Sequence, residues 1–486
     1  MSVVTSAKKL DTKYILAIAL TIFLMFGFGY LPAPEPITPY GMQIAGIFLG
    51  LVWGWSASGG SMIWPALLAM VALATTSYGN ASTVMIAAFG SQVIVLSIVT
   101  MMMLGALSYS GVTEWLIIKV VTNKFVKGKP WRLTMALIVG PFIVSILVGQ
   151  ILAALFLIPI FNKLFKDIGV QPGDKYSAML TGSMLLAVLL APGLFPFNGY
   201  MLMFLPIIQA SANVSIEFGP YMLTMIPYIL VSVLLLMPMM KLLGYDPACI
   251  AKADFSEMEK KYSNGLSKEQ KALLTCACIF IIGAILVSFV PSTGIFLSKV
   301  KEFGVYGWAM LLCVIMMILK VEGKPICDPI EAGKFVSWDA IFIIASATIV
   351  SGALTSADTG VSIAISNICA PLLAKTGPLS CILLVAFIVL LLTNFLNNMA
   401  TMFMFVAVIC AIYANGVAIP FTAVIQLIPT LGMVGIAIPA ASLFGALYYA
   451  QDYTTPGGIA KCSLILVFYI VLMTAVVYVP LTLLFL

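Results

Sequence analysis

Hydrophobic runs of about 17 to 25 residues recur from one end of this sequence to the other, and each is long enough to cross a hydrocarbon core about 30 Å thick as a helix. About eleven such crossings are expected, with shorter apolar pieces between them. With 62% of 486 residues apolar, 9% charged and a mean hydropathy of +1.14, most side chains must have lipid as their solvent. Backbone polar groups in lipid have to be paired within the chain, which leaves helices as the means of spanning. The fold class expected is an all-α polytopic membrane protein.

Basic residues set the topology. They cluster at Lys8 to Lys13, Lys119 to Arg132, Lys163 to Lys175, Lys241 to Lys271 and Lys320 to Lys334, which are read as cytoplasmic loops, with the lysine-poor segments between them outside. The expected placement is a bacterial plasma membrane, with the N-terminus cytoplasmic and the C-terminus outside. The first run, Tyr14 to Leu31, follows Lys8, Lys9 and Lys13 but lacks a small-residue cleavage site ahead of a polar segment, so it is read as a retained helix. The net charge of +6 then reports orientation, and no nucleic-acid partner is expected.

Histidine is absent and Arg132 is the only arginine, which excludes histidine metal sites and Ser-His-Asp or Cys-His catalysis. The nine cysteines are scattered without metal-ligand spacing, mostly inside apolar runs. No Gly-x-x-x-x-Gly-Lys-Ser/Thr loop is present, so nucleotide hydrolysis has no support. An enzyme is not expected.

The polar stretch around residues 253 to 270 divides two similar halves. Gly105-Ala106-Leu107, followed by Gly111-Val112, recurs as Gly352-Ala353-Leu354 followed by Gly360-Val361, and at nearly the same offset Gln150 lies opposite Asn398 and Asn198 opposite Gly445. The first Gly-Val is followed by Lys119, Lys124, Lys127, Lys129 and Arg132, the second only by Lys375, so the flanks fall on opposite membrane faces. Two inverted-topology repeats are expected, over residues 1–245 and 272–486, joined by a cytoplasmic linker at 246–271.

Four hydrophobic segments are interrupted. The stretch from about 133 to 161 contains Gly140-Pro141 and Gly149-Gln150, and begins and ends near basic residues, which suits a re-entrant hairpin. Its counterpart, about 378 to 414, carries Thr393-Asn394 and Asn397-Asn398, polar pairs that belong at membrane depth only where they line a cavity or bind something. Pro192-Gly193, Pro196 and Asn198-Gly199 break the next run of the first half, and Pro439, Ser442 and Gly445 break that of the second. Such breaks free carbonyls and leave half-helix N-termini pointing inward, where they favour anions. Gly46, Gly50 and Gly54 share one helix face and permit close helix approach, within the chain or across a dimer contact.

Asn397-Asn398-Met399-Ala400-Thr401 resembles the Ser-Asn-Thr-Ala-Thr hairpin motif of the divalent anion:sodium symporter family. Trp338-Asp339-Ala340-Ile341-Phe342, the Gly-Val pairs and the order of hairpin then broken helix are similar to that family over most of the chain. The resemblance implies that two hairpin tips and two unwound helices bind sodium and a dicarboxylate, tricarboxylate or sulfate, in homodimers working by an elevator movement. Carried onto this sequence, it implies ligands at Gly149, Gln150, Asn198, Asn397, Asn398, Thr401, Ser442 and Gly445, with sodium near Asn398 and Thr401. The match has gaps: the first hairpin holds Gly149-Gln150-Ile151 without hydroxyls, Met399 replaces a threonine, and Thr-Pro-Pro-Asn survives as Phe195-Pro196-Phe197-Asn198 and, more weakly, as Ser442-Leu443-Phe444-Gly445.

The leading expectation is therefore a secondary transporter of small organic anions, with sodium coupling, proton coupling and exchange all open. The alternative is an ion channel or cation/proton antiporter using the same broken helices with Asp452 as its relay, although Asp452 also suits the water interface.

Overall fold

In the computed structural model the described residues are 12–57, 62–126, 128–197, 199–252, 260, 265–291, 293–373, 376–439, 442–451 and 453–486. Helix follows helix because lipid-facing sequence has no water to pair its backbone, and glycine or asparagine ends several of them, at Gly90, Gly111, Gly149, Asn394 and Asn415. The first half runs α1 (Thr12–Ile22), α2 (Pro39–Ala57), α3 (Ile63–Ala74), α4 (Ala81–Phe89), α5 (Gln92–Ser110), α6 (Val112–Val121), α7 (Pro130–Val148), α8 (Gln150–Asp167), α9 (Lys175–Leu190), α10 (Gly199–Ala212), α11 (Phe218–Leu234) and α12 (Leu236–Leu242). The second runs α13 (Lys268–Ser288), α14 (Gly294–Ile318), α15 (Pro329–Gly333), α16 (Trp338–Thr355), α17 (Val361–Leu373), α18 (Pro378–Thr393), α19 (Asn398–Ala414), α20 (Phe421–Leu431), α21 (Leu443–Tyr449), α22 (Pro456–Met473) and α23 (Val479–Phe485). The only strands among the described residues are β1 (Lys320–Val321) and β2 (Lys324–Pro325), a two-residue antiparallel pair.

The chain is an all-α polytopic membrane protein. Among the described residues seven helices are long and apolar enough to span, or eight when α4 and most of α5, bent by 52° at their junction, are counted as one. Further apolar helices of 10–17 residues are Tyr14–Tyr30, Ile63–Ala74, Gly199–Ala212, Pro378–Thr393, Asn398–Ala414 and Phe421–Leu431, at or below the shortest length that spans alone.

One order of elements occurs twice. In the first half α5 ends on Gly111 in the left-handed region (φ 78°), after which α6, the helix pair α7/α8 and the interrupted pair α9/α10 follow. In the second half α16 gives way through a 3-10 turn to Gly360 (φ 66°), after which α17, the pair α18/α19 and the interrupted pair α20/α21 follow. Gly360 also allows a close approach, because a Cβ there would be driven into the Pro36 carbonyl.

The halves interlock: α10 packs on α16 and α19, α9 on α22, and α5 on α14 and α15. At the centre stands α9, in which every residue after Lys175 is buried, as are Ala191 to Leu194 in the 3-10 turn that extends it. Between lipid-solvated helices such packing is driven by close van der Waals fit, which small residues permit. The Gly46, Gly50 and Gly54 face of α2 is used this way within the chain: it lies against Leu24, Phe28, Met25, Thr21 and Pro65.

Candidate functional site

The first hairpin turns on a single residue. Gly149 links α7 to α8 at φ 82°, ψ 159°, a backbone region that only glycine enters readily. A Cβ at this position would meet nothing within 4 Å, so the requirement is conformational and not one of space. Beyond it α8 starts at Gln150 with no side-chain cap, which leaves first-turn N–H groups directed past the tip. The Gln150 amide donates a hydrogen bond to the Tyr200 hydroxyl on the first turn of α10. Gly199, immediately before Tyr200, has φ 66° and lies so close to Pro192 that a Cβ would collide with it.

These groups open into a cavity of about 480 Å³, within the usual range for small-molecule sites. Its wall takes Ser97 and Thr100 from α5, Gly149, Gln150 and Ile151 from the hairpin, Gly199 and Tyr200 from α10, Ser337, Asp339 and Ala340 from the start of α16, and Met399 from α19. Residues from the starts of four helices, α8, α10, α16 and α19, therefore meet on one space, and the uncapped N-terminus of α8 exposes its partial positive charge there. Asp339 is the acidic group on this wall, half-buried, and its Oδ1 accepts the Met62 backbone N–H at 2.8 Å. Ser337 caps α16 by accepting the Ala340 N–H at 3.3 Å. Thr100 returns its hydroxyl to the Leu96 carbonyl at 2.8 Å, whereas Ser97, 1% exposed, has no hydrogen-bond partner for its Oγ. Among the described residues no lysine or arginine lines the cavity, so an anion would be held there by N–H, amide and hydroxyl donors.

The second hairpin is arranged otherwise. Between α18 and α19 the Asn397 side chain caps α19, accepting the Met399 N–H at 2.9 Å and the Ala400 N–H at 3.4 Å. Asn398 accepts from the Thr393 hydroxyl at 2.9 Å and donates to the Met433 carbonyl at 3.1 Å. Thr393 also engages the Gly432 carbonyl. Asn394 donates to the Leu390 and Val434 carbonyls at 2.7 and 3.1 Å and accepts the Ala437 N–H at 2.8 Å. The Asn394 and Asn398 amides are thus spent largely on the unwound segment after α20. Ser442 closes that segment by donating to the Gly435 carbonyl and accepting the Gly445 N–H, and a Cβ on Gly445 would enter the Ile438 carbonyl.

Two groups result. Gly149 and Gln150 face the cavity; Asn397, Asn398, Ser442 and Gly445 form the polar knot of the second hairpin, from which Met399 reaches the cavity wall. Thr401, one turn into α19, is fully buried with an unpartnered Oγ1. Asn198 and Asp452 lie outside the described residues. Sequence reasoning passed over Asp339, Ser97, Thr100, Tyr200 and Ser337 as site residues. Asp339 had a signal, since it stands in the Trp338-Asp339 motif; the two hydroxyls of α5 sit three residues apart on one helix face, a weak mark in an apolar run.

Comparison with known families finds a match between residues 48–430 and a family model described as citrate transporter, which accords with the wider divalent anion:sodium symporter resemblance. No curated protein matches.

Proposed function

The chain belongs to the citrate transporter family, and from that premise we propose that it carries di- or tricarboxylates across the bilayer by alternating access, driven by a coupled cation or by exchange. The observation that carries this reading is the bare N-terminus of α8 at Gly149 and Gln150, opening on a cavity where three further helices begin. A carboxylate set there accepts from backbone N–H groups already held in place, and each helix end favours the charge by about 0.3–1 kcal/mol, more where water is excluded. Gln150, fixed by Tyr200, keeps a carbonyl oxygen free to take a substrate hydroxyl.

The second hairpin serves in this scheme as the barrier on the other side of the cavity. It is tied to the unwound segment after α20, where the Gly432 and Val434 carbonyls each keep a second lone pair after accepting from Thr393 and Asn394, while the Met433 carbonyl accepts from both Asn398 and the Gly435 N–H. This reading assigns those two carbonyls and Thr401 Oγ1, whose hydroxyl has no partner, as oxygens available to a coupling ion such as sodium. The doubled element order supports two inverted repeats whose hairpins exchange roles as the substrate changes sides, in an elevator-type movement.

Uptake of radiolabelled citrate, succinate, malate and sulfate into proteoliposomes tests the reading, run with and without sodium, a pH gradient and internal anion. Saturable uptake of a carboxylate is expected, and the condition that drives it identifies the coupling. A protein that conducts ions or protons and takes up none of the four anions would overturn it.

A further inference from the structure

We infer that Ser97 is a specificity-determining ligand: its hydroxyl donates to a substrate carboxylate held at the N-terminus of α8. This rests on the carboxylate-transport reading and deepens it. Several buried side-chain atoms lack a partner among the described residues, those of Trp64, Ser97, Trp115, Ser211, Thr401, Gln426 and Gln451. Of these, Ser97 is the one that belongs to the cavity wall. A hydroxyl in an apolar helix ordinarily returns its hydrogen to the carbonyl one turn back, as Thr100 does to Leu96 on the same face. Ser97 forgoes that bond while 99% of its surface is withdrawn from solvent, a state that native structures keep when something else supplies the partner.

The partner has to be an acceptor, has to enter the cavity, and has to be tolerated by helix N-termini that carry positive partial charge. A carboxylate meets all three conditions. Its two oxygens offer about four acceptor directions, enough for the α8 backbone N–H groups on one side and Ser97 on the other. The hydroxyl then orients a carboxylate that the α8 dipole alone would hold only by charge, and orientation is what separates a di- or tricarboxylate from sulfate or acetate. Ser97 stands on α5, outside both hairpins and both broken helices, so it tunes the anion without taking part in the hairpin turns.

The test is citrate uptake and citrate-dependent thermal shift on purified, full-length protein, comparing the unaltered chain with Ser97→Ala and Ser97→Thr. Loss of a hydrogen bond to a charged group is expected to raise the half-saturating citrate concentration of Ser97→Ala by about ten- to a hundredfold, with the maximal rate largely kept. The order in which unlabelled succinate, malate, sulfate and acetate compete should flatten, and Ser97→Thr, which restores a hydroxyl, should recover it. Without citrate, Ser97→Ala should melt no lower than the unaltered protein, because an unsatisfied buried hydroxyl has been removed, while the citrate-induced rise shrinks. A Ser97→Ala protein with the same half-saturation and the same competitor order would overturn the role of Ser97 and leave carboxylate transport standing. An unaltered protein that neither takes up citrate nor is stabilised by it or by the other carboxylates would remove the premise, and the inference with it.

Discussion

Asp339 on the first turn of α16 holds the backbone N–H of Met62 at 2.8 Å, so a carboxylate of the cavity wall ties down the start of α3 from across the fold. An acid in a space that favours anions needs its charge answered, by the α16 N-terminus and by whatever cation accompanies the substrate. Asp339→Asn keeps an oxygen for Met62 and removes the charge. That variant is expected to melt with the unaltered protein but to lose the dependence of uptake on its driving cation. Asp339→Ala strands the Met62 N–H and should also lower stability by about 1–3 kcal/mol. Thermal melts alongside uptake in imposed sodium and pH gradients separate the two effects.

Gly149→Ala puts a side chain into open space on a backbone that alanine resists, at a strain of about 1–3 kcal/mol. The hairpin tip should relax away from its turn, cutting uptake at least tenfold while the protein still reaches the membrane. Gly445→Ala meets the Ile438 carbonyl instead and should fail earlier, as low yield of folded protein. Fluorescence-detected gel filtration, set beside uptake per folded molecule, distinguishes a lost site from a lost fold.

Asn398→Ala removes one of two bonds at each of its partners, since the Thr393 hydroxyl keeps the Gly432 carbonyl and the Met433 carbonyl keeps the Gly435 N–H. A loss of about 1–3 kcal/mol is expected from two hydrogen bonds worth about 0.5–1.5 kcal/mol each, visible as a lower melting midpoint with or without citrate. Asn397→Ala removes a helix cap and should cost about 1 kcal/mol. If the knot is the barrier of the cycle, both variants leak preloaded anion faster than the unaltered protein; equal efflux would assign these residues to folding alone.

Cys249, in the polar stretch after α12, has its thiol pushed up to about 11 by burial, with the Asp174 carboxylate adding to the rise. The thiolate is the reactive form, so alkylation of Cys249 by iodoacetamide at pH 7.5 should be slow and should climb about tenfold per pH unit up to pH 10. Mass spectrometry of the peptide containing Cys249 checks this, and a fast reaction at pH 7.5 would show that the segment opens in solution.

The spanning helices were legible because apolar length is a direct consequence of bilayer thickness. Gly149-Gln150 and Asn397-Asn398 stood out because glycine, glutamine and paired asparagines are foreign to an apolar run. Hydropathy could not show which apolar runs stay whole, since the divisions depend on local turns such as Gly149 and the segment between α20 and α21. Nor could it show that one hairpin faces a cavity while the other is knotted to its own backbone, because that difference is made by contacts with residues 432–437. Asp339 escaped notice as a site residue because an acid at a helix start is stabilised there whether or not a cavity adjoins it. Ser97 and Thr100 escaped because isolated hydroxyls in a membrane helix usually serve only their own backbone.

The burial of α9 bears on how such a protein can work. A helix with no surface toward lipid has no boundary along which to slip by itself, and any change in its depth would drag the close-packed side chains of α7, α20 and α22 out of register. In the alternating-access cycle proposed above, α9 therefore moves only together with the helices packed on it, α7, α8, α20 and α22. On that proposal the slow coordinate is the motion of this body against its lipid-facing neighbours, and lipid thickness, more than any single hinge, is expected to govern its speed.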